Sequence, residues 1–304
     1  MFCYRTAGLS VASDIQLPGA TLELPGPGPD LVIRAGPVPD ALEAPTAEAP
    51  TWQTDGRRVR LQIPDIGRFL VCGREIRYRA DGNAGAVDVA AFVGGPLLAL
   101  CVSLRNRAVI RASAVCAGGN AVLFCGPSGA GKSTLAAALV ARGHPLLVDD
   151  VCAVTIAPAP LAHPDTTSLK LWLQAIDRLR LGPAKVAPVR PCLEKHYVAP
   201  EAWASEPAAI GVVYHLRESR PPHASGIEAL NVVDATVAFA RTAYHPAMVE
   251  PLRARDLYFQ VGAAVAGAAP VFHLTRPMTF DALYETADQL ERHWAQIGLQ
   301  ERAA

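Results

Sequence analysis

The sequence has no excess of either sign of charge. Its 28 lysines and arginines balance 28 aspartates and glutamates, and these four residue types make up only 18% of the chain. No basic run with interleaved aromatic residues occurs, and aromatic residues account for 6% of the sequence. A patch for nucleic acid or for an anionic membrane is therefore not predicted, and we expect neither as a partner.

An apolar run long enough to cross a bilayer is also lacking. The longest stretches, residues 90–102 and 261–271, are too short or are interrupted by glycine. The first residues, MFCYRTAG, contain neither the basic start nor the apolar segment of a secretion signal. With 51% apolar residues, the sequence predicts a compact globular protein of the cytoplasm.

Paired cysteine motifs are absent, and so is the histidine spacing of a zinc site. The seven cysteines are Cys3, Cys72, Cys101, Cys116, Cys125, Cys152 and Cys192. They are scattered, and most lie in apolar runs, so we expect buried and reduced thiols rather than a disulfide framework. No two histidines share ligand spacing with a third residue, which argues against zinc.

The first 94 residues have the pattern of short strands. The runs 57–63, 68–72 and 75–80 alternate apolar and polar residues and are separated by turns that contain proline or glycine. The segment 37–50 is rich in proline, alanine and glutamate, so it is predicted to be an irregular surface loop. We predict a β-rich N-terminal domain over residues 1–94.

Helices and strands alternate in the rest of the chain, residues 95–304, which we predict to be a second, α/β domain. A helix is expected at 96–107, strands at 108–115, 121–125, 145–148 and 210–216, and a helix from Lys132 to Arg142. The end of the chain is a predicted amphipathic helix. Its apolar stripe consists of Phe280, Leu283, Tyr284, Ala287, Leu290, Trp294 and Ile297.

Residues 126–133 read GPSGAGKS, a full match to the phosphate-loop pattern G-x-x-x-x-G-K-[ST]. The glycines permit positive φ and close approach of the backbone, so successive N–H groups can converge on a phosphate at the start of a helix. Lys132 is placed to contact the β- and γ-phosphates, and the Ser133 hydroxyl to ligate Mg²⁺. An apolar strand before the loop and an alanine-rich helix after it complete the context.

The sequence therefore predicts that ATP and Mg²⁺ bind at this loop. The predicted binding residues are Gly126, Pro127, Ser128, Gly129, Ala130, Gly131, Lys132, Ser133 and Thr134. The residues that hold the adenine base are not predicted.

The next acidic residues after the loop are Asp149 and Asp150. They follow a short apolar strand, and in phosphate-loop folds this strand commonly lies beside the loop strand and points at the phosphates. One carboxylate can hold Mg²⁺ while the other takes a proton from an incoming hydroxyl. Because successive strand residues face opposite ways, both can serve only if the strand has ended. The alternative, one functional acid and one solvated or capping acid, stays open.

The run 121–154 resembles the catalytic domain of HPr kinase/phosphorylase. The matching residues are the loop, Arg142-Gly143-His144 and Asp149-Asp150. More specifically, the chain is similar to HPr-kinase-like proteins encoded with lasso-peptide biosynthesis genes, which phosphorylate a serine of the precursor peptide. The segments 97–115, LKLW (169–172) and KHYV (195–198) carry this wider resemblance. It implies a P-loop HPr kinase/PEP carboxykinase-like α/β catalytic domain behind the smaller β-rich domain.

The resemblance also implies roles for individual residues. Asp149 corresponds to the general base that accepts the proton of the substrate serine, and Asp150 lies near the metal. Phosphoryl transfer usually needs a further cation beside Lys132. Lys195, in the KHYV run, is the first choice, ahead of two others. These two are Arg190 and Arg241.

The sequence departs from the family at two positions. Arg111 stands where the family has a histidine on the strand before the loop; arginine cannot relay a proton, but it can pair with Asp149 or with a phosphate. Lys170 stands nearest to the metal-binding glutamate of the family, so a missing Mg²⁺ ligand would have to come from Asp165 or Asp177. Both departures argue against the reverse phosphorylase reaction and against HPr as the acceptor.

Together these features predict an ATP-dependent serine kinase whose substrate is a serine-containing peptide or small protein, for which a lasso precursor peptide is the first choice. Two alternatives remain. One is a small-molecule kinase of the shikimate or gluconate type, and the other is a non-catalytic nucleotide-dependent switch. Association into a homo-oligomer is left open.

Overall fold

The strands of this protein gather in three sheets in the computed structural model, which describes residues 1–26, 28–82, 84–182, 186–190 and 193–299. The first nine strands are β1 Phe2–Thr6, β2 Leu9–Ser13, β3 Thr21–Leu22, β4 Leu31–Ala35, β5 Ala47–Ala49, β6 Trp52–Thr54, β7 Arg58–Ile63, β8 Gly67–Cys72 and β9 Glu75–Ala80. They form one sheet in the order β3-β1-β2-β4-β9-β8-β7-β6-β5.

Alternation of apolar and polar residues predicts β7, β8 and β9 well. In β8, Phe69 and Val71 are fully buried while their neighbours are partly exposed, so one face of the sheet covers the core. The expectation of an irregular loop over 37–50 is wrong at its end, because Ala47–Ala49 pairs antiparallel with β6. Backbone pairing with β6 overrides the weak strand preference of alanine and glutamate there.

A helical stretch follows the first sheet. It consists of α1 Ala86–Phe92, a π-helical turn Val93–Leu97 and α2 Leu98–Ser103. The predicted helix began only at residue 96, since Gly94, Gly95 and Pro96 resemble a break. The π-helical turn instead absorbs Pro96, whose nitrogen has no proton to donate. The predicted domain boundary at residue 94 falls inside this stretch, and the division into two domains stays a prediction.

The same stretch is the one helix in the described part of the chain that is long and apolar enough to span a membrane. The window Ala86–Ser103 has 18 residues, and 56% of it is buried inside the protein. Its apolar side chains join a core cluster with the first sheet and with Val109 and Val151 of later strands. The stretch therefore packs as a core helix.

The remaining strands are β10 Ala108–Ala117, β11 Asn120–Cys125, β12 Leu146–Thr155, β13 Leu161–His163, β14 Leu169–Trp172, β15 Val186–Pro188, β16 Lys195–Val198, β17 Ala208–Glu218, β18 Gly226–Ala229 and β19 Val271–Arg276. β14, β16 and β15 form a small sheet in that order, and the others form a seven-stranded sheet. Within it, β11, β10, β12, β13 and β17 close into a ring, since β17 pairs with both β13 and β11.

This ring corrects two expectations. The loop strand β11 was expected to lie beside the strand that carries Asp149, but β10 lies between them and pairs antiparallel with both. The strand before the aspartates was expected to end at residue 148, but β12 continues to Thr155. Long pairing with β10, which runs from Ala108 to Val115, keeps β12 extended through both aspartates.

Helices cover both faces of the seven-stranded sheet. They are α3 Lys132–Val140, α4 Leu173–Arg178, α5 Val232–Ala240, α6 Pro246–Val249, α7 Arg255–Ala268 and α8 Asp281–Gln296. Side chains alternate along β11: Val122 and Phe124 pack with α3 and α8, whereas Leu123 packs with α5 and α7. The sequence places Tyr284 in the buried apolar stripe of α8, and this is wrong because Tyr284 is 49% exposed.

The described cysteines form no disulfide, as the sequence predicts. Cys101, Cys125 and Cys152 are buried, and three others are partly buried. Burial raises the pKa of the Cys125 thiol to about 12, so this thiol is not reactive at neutral pH. Cys192 lies outside the described residues.

Candidate functional site

The glycine loop, residues 126–131, connects β11 to α3. Gly129 has φ 84° and Gly131 has φ 77°, in the left-handed region that favours glycine. Gly131 is the N-cap of α3, and a Cβ atom there would lie 2.3 Å from Nη2 of Arg276. The first N–H groups of a helix lack intrahelical acceptors, so this loop presents free donors to an anion.

Lys132 is the first residue of α3, directly after this loop. Its ammonium donates hydrogen bonds of 2.9 Å to the carbonyls of Gly126 and of Pro127. The side chain is buried, and burial lowers the pKa of Lys132. A positive charge that is held only by neutral carbonyls is available to a phosphate oxygen.

A cavity of about 340 Å³, which we call the loop cavity, opens between the glycine loop, β12 and β14. Its lining residues are Arg111, Ser113, Ser128, Gly129, Gly131, Lys132, Ser133, Thr134, Asp149, Asp150, Lys170, Leu171, Trp172 and Lys195. The structure thus brings most of the predicted site residues together. Ala130 does not line this cavity, and Gly126 and Pro127 line a neighbouring one.

The two aspartates of this cavity have different surroundings. Asp149 is 1% exposed, and each of its carboxylate oxygens accepts a hydrogen bond. Ser113 Oγ donates to Oδ1 at 2.8 Å, and the backbone nitrogen of Lys170 donates to Oδ2 at 2.7 Å. Asp149 is therefore held in one orientation at the wall of the cavity.

Asp150 is more open, since 31% of its side chain is exposed. Tyr244 donates its hydroxyl proton to Oδ2 at 2.7 Å, and burial together with Asp150 raises the pKa of Tyr244, so this hydroxyl stays protonated. Two cations lie 3.9 Å from the carboxylate, Arg111 at Oδ1 and Lys170 at Oδ2. The structure does not pair Arg111 with Asp149; the guanidinium faces Asp150 instead and lies 4.6 Å from the centre of the Tyr244 ring. A contact of Arg111 with a phosphate stays a prediction.

The backbone of Asp150 explains how neighbouring aspartates in one strand can line one cavity. Its φ is 113°, a value that side-chain-bearing residues rarely adopt. This interrupts the usual alternation of side chains along β12. A strained backbone of this kind persists only where surrounding contacts maintain it, and such residues are concentrated at functional sites.

Asp165 supplies part of that support. It follows the end of β13, and its oxygens accept the N–H groups of Asp149 at 2.9 Å and of Val151 at 3.0 Å. Its carboxylate takes the place of strand carbonyls at this edge of β12. The suggestion of Asp165 as a metal ligand is wrong, because its buried carboxylate binds the backbone of β12 and does not line the loop cavity. Asp177 is exposed on α4 and does not line the cavity.

Of the other positively charged residues that were predicted for the site, only one lines the loop cavity. Lys195 lies opposite Trp172 in the β14–β16 pair and lines the loop cavity. Arg190 is 2.9 Å from a carboxylate oxygen of Asp88 and packs on an aromatic ring, away from the cavity. Arg241 lines the neighbouring cavity.

Three side chains at the site were not found from the sequence. Ser113 faces Asp149 through the β10–β12 register, and Tyr244 reaches Asp150 because its segment pairs with β10. Arg276 is buried at the end of β19, and its Nη2 donates to the carbonyl of Ala130 at 3.3 Å. Only the pairing of distant segments places these residues, so no local pattern could have indicated them.

The donor groups around the cavity fit Mg²⁺ only together with a nucleotide. The described residues contain no group of three or more His, Cys, Asp or Glu that could hold a metal ion. The Ser133 hydroxyl and the open carboxylate of Asp150, the two ligands that the sequence predicts, both line the cavity. Mg²⁺ is commonly bound by one or two protein ligands with phosphate oxygens and water, and this donor set suits that arrangement.

Comparison with solved structures finds 48 similar chains. The chain is similar to the Hpr(Ser) kinase/phosphatase from Coxiella burnetii with 12% sequence identity and a TM-score of 0.34, over 62% of this chain and 98% of that chain. No protein-family model matches the chain, and no curated protein matches it. A similarity at this level carries no argument about the reaction, which has to rest on the residues of the site.

Proposed function

We propose that this chain is an ATP-dependent kinase that transfers a phosphoryl group to a serine hydroxyl of a peptide or small protein. The observation that carries the proposal is that the glycine loop, Lys132 and the Asp149–Asp150 pair line one cavity. A phosphate-binding loop alone would suit any nucleotide-binding protein. A carboxylate pair beside it adds a group that can take the proton of an acceptor hydroxyl.

Each part of the site has a task in this reaction. The free N–H groups at the start of α3 and the Lys132 ammonium hold the β- and γ-phosphates. Mg²⁺, which Ser133 and Asp150 would hold, supplies positive charge to the phosphate oxygens when bound. Lys170 and Lys195 also line the cavity and add positive charge, which can stabilise the charge of the transferred group.

We assign the general base to Asp149. Its contacts with Ser113 and with the Lys170 backbone fix its orientation, and an oriented carboxylate suits proton transfer over a short distance. Asp150 is the competing base because its side chain is more exposed, although its Oδ2 already accepts the Tyr244 hydroxyl and two cations lie 3.9 Å from it.

The finer identification remains part of the proposal. We propose that the α/β part of the chain is an HPr kinase/PEP carboxykinase-like catalytic domain and that the acceptor is a lasso precursor peptide. The support is the residue pattern of the loop, Arg142-Gly143-His144 and Asp149-Asp150, together with the wider resemblance of the segments 97–115, 169–172 and 195–198. We propose that the kinase acts in the cytoplasm.

Labelled ATP tests this function. The protein is incubated with Mg²⁺ and ATP labelled at the γ-phosphate, alone and with a serine-containing precursor peptide. We expect label on the peptide, at least about a hundredfold reduced in Asp149→Asn. In a third reaction with a pool of small metabolites in place of the peptide, label on a small molecule would support a small-molecule kinase instead. Steady phosphate release without any labelled acceptor would point to a switch.

The variant Asp150→Asn separates the two aspartates. A general base at Asp149 predicts that Asp149→Asn loses the rate of transfer with little change in ATP affinity. Asp150→Asn should mainly raise the Mg²⁺ concentration that is needed. The reverse pattern would move the base to Asp150 and leave the kinase function intact.

A further inference from the structure

A second cavity adjoins the glycine loop. It has a volume of about 460 Å³, and we call it the arginine cavity because Arg111, Arg217 and Arg241 line it. The two cavities adjoin at Arg111 and at Ser128 of the glycine loop, which line both of them. No acidic side chain is among its lining residues in the part of the chain that the structure describes.

The positive charges of this cavity are poorly compensated. Within the described residues, the Arg241 guanidinium makes no hydrogen bond or ion pair, and the Arg217 guanidinium contacts the ring of His273. The Arg111 guanidinium lies over the Tyr244 ring, and the acidic group nearest to it, Asp150, is 3.9 Å away. Three guanidinium groups around one cavity repel one another, so an anionic ligand would stabilise the arrangement.

A buried histidine gives a second, independent indication of a ligand. His215 lines the cavity and is only 8% exposed, and its Nε2 atom has no hydrogen-bond partner. Burial lowers the pKa of His215 to about 4, so the ring is neutral at physiological pH. An unpartnered buried polar atom is unfavourable, and a ligand in the cavity would satisfy it.

The position of Lys132 indicates which substrate enters here. Its ammonium lies at the carbonyls of Gly126 and Pro127, and these two residues also line the arginine cavity. The lysine of such a loop reaches the β- and γ-phosphates. The terminal phosphate of a bound nucleotide would therefore lie at the border of the two cavities, and an acceptor has to approach that phosphate from outside.

We propose that the arginine cavity binds the acceptor through an anionic group, a carboxylate or a phosphate, a few residues from the hydroxyl that is phosphorylated. This inference rests on the proposed kinase function and adds a substrate class to it. Guanidinium groups bind carboxylates and phosphates through paired hydrogen bonds. An acceptor with lysine at the same position would be repelled.

The test uses the full chain and four synthetic peptides that differ at one position near a single serine. That position holds glutamate, phosphoserine, alanine or lysine, and phosphorylation is measured at a fixed concentration of ATP and Mg²⁺. The glutamate and phosphoserine peptides distinguish the two sources of negative charge. We expect both to have a KM about 5- to 30-fold below that of the alanine peptide, and the lysine peptide to be the poorest.

Charge changes in the protein complete the experiment. Arg241→Gln should raise the KM of the glutamate peptide about 3- to 10-fold and leave that of the alanine peptide within about twofold. Arg241→Glu should make the lysine peptide better than the glutamate peptide. The matched control is Arg220→Gln, since Arg220 is exposed, pairs with Glu218 and does not line the cavity. Circular dichroism spectra of the three variants check that they are folded.

The outcomes distinguish the binding of an anionic acceptor group in the arginine cavity from the kinase function itself. Equal KM values for the glutamate, alanine and lysine peptides would overturn the inference while the kinase function stands. The same is true if Arg241→Gln and Arg220→Gln behave alike. Transfer to none of the four peptides would defeat the proposed function, and the inference with it.

Discussion

The support that Asp165 gives to the aspartate pair leads to a sharp prediction for Asp165→Asn. In the structure, one carboxylate accepts the N–H groups of Asp149 and Val151, on either side of the strained Asp150. An amide offers one acceptor oxygen, and its NH₂ group would face the second N–H. One buried backbone donor then loses its partner.

The magnitude follows from that lost partner. A buried donor without an acceptor costs about 1–3 kcal/mol, against a total free energy of unfolding of about 5–15 kcal/mol for a typical domain. We therefore expect Asp165→Asn to lower the free energy of unfolding by about 1–3 kcal/mol. Because the strand around Asp150 loses its anchor, phosphoryl transfer should fall by more than the loss of folded protein explains.

The same carboxyl group predicts a dependence of stability on pH. Burial raises the pKa of Asp165 from 3.8 to about 7. Between these values the folded protein binds the proton and the unfolded chain has released it, so the free energy of unfolding falls as pH rises from about 4 to about 7. Above pH 7 this contribution no longer changes. Asp165→Asn has no such proton and should lack this part of the slope.

Urea unfolding at pH 5, 6, 7 and 8, followed by circular dichroism, measures both effects. The control is Asp177→Asn, an exposed acid on α4 for which we expect stability and slope as in the wild type. The reasoning is refuted if Asp165→Asn has the wild-type unfolding midpoint and the wild-type pH slope. It is also refuted if Asp177→Asn changes both quantities as much.

Three further predictions concern the loop cavity. Gly131→Ala should strongly weaken ATP binding in calorimetry, because a side chain is strained at φ 77° and Arg276 would have to move away from the new Cβ atom; unchanged ATP affinity would contradict this. Tyr244→Phe removes the hydroxyl on Asp150 and should lower kcat about 3- to 10-fold with the KM for ATP unchanged, whereas an unchanged kcat would exclude a role for this contact. Trp172, which lines the cavity and is 56% exposed, should change fluorescence when ATP binds, and Trp172→Phe should remove that signal; a signal that persists would come from another tryptophan.

The local sequence pattern predicted the structure correctly where a single strand, loop or helix determines it. The strands β7 to β9 follow from alternation, and the strand–loop–helix around Gly126–Ser133 follows from the glycine spacing and its apolar flanks. The helix Ala86–Ser103 was recognised only in part. Glycine and proline at 94–96 normally interrupt a helix, and the π-helical turn that accommodates them depends on packing in the core.

The different surroundings of Asp149 and Asp150 could not be read from the sequence. They depend on Ser113 in a strand before the loop, on Asp165 after the next strand, and on Tyr244 far along the chain. The contacts of Ser113 and Tyr244 require the pairing of β10 with segments on both sides, and the contact of Asp165 requires the pairing of β12 with β13. The sequence indicated that an acid pair follows the loop, but the separation into an anchored and an open carboxylate is a property of the folded sheet.

The ratio of ADP formed to phosphopeptide formed tests the central claim most directly. Both products are measured by mass spectrometry in the same reaction, with a precursor peptide that contains the acceptor serine and with a control peptide in which alanine replaces it. A kinase that activates the serine hydroxyl predicts one ADP for each phosphopeptide, and little ADP with the alanine peptide. Equal ADP production with both peptides, without any phosphopeptide, would contradict phosphoryl transfer to serine.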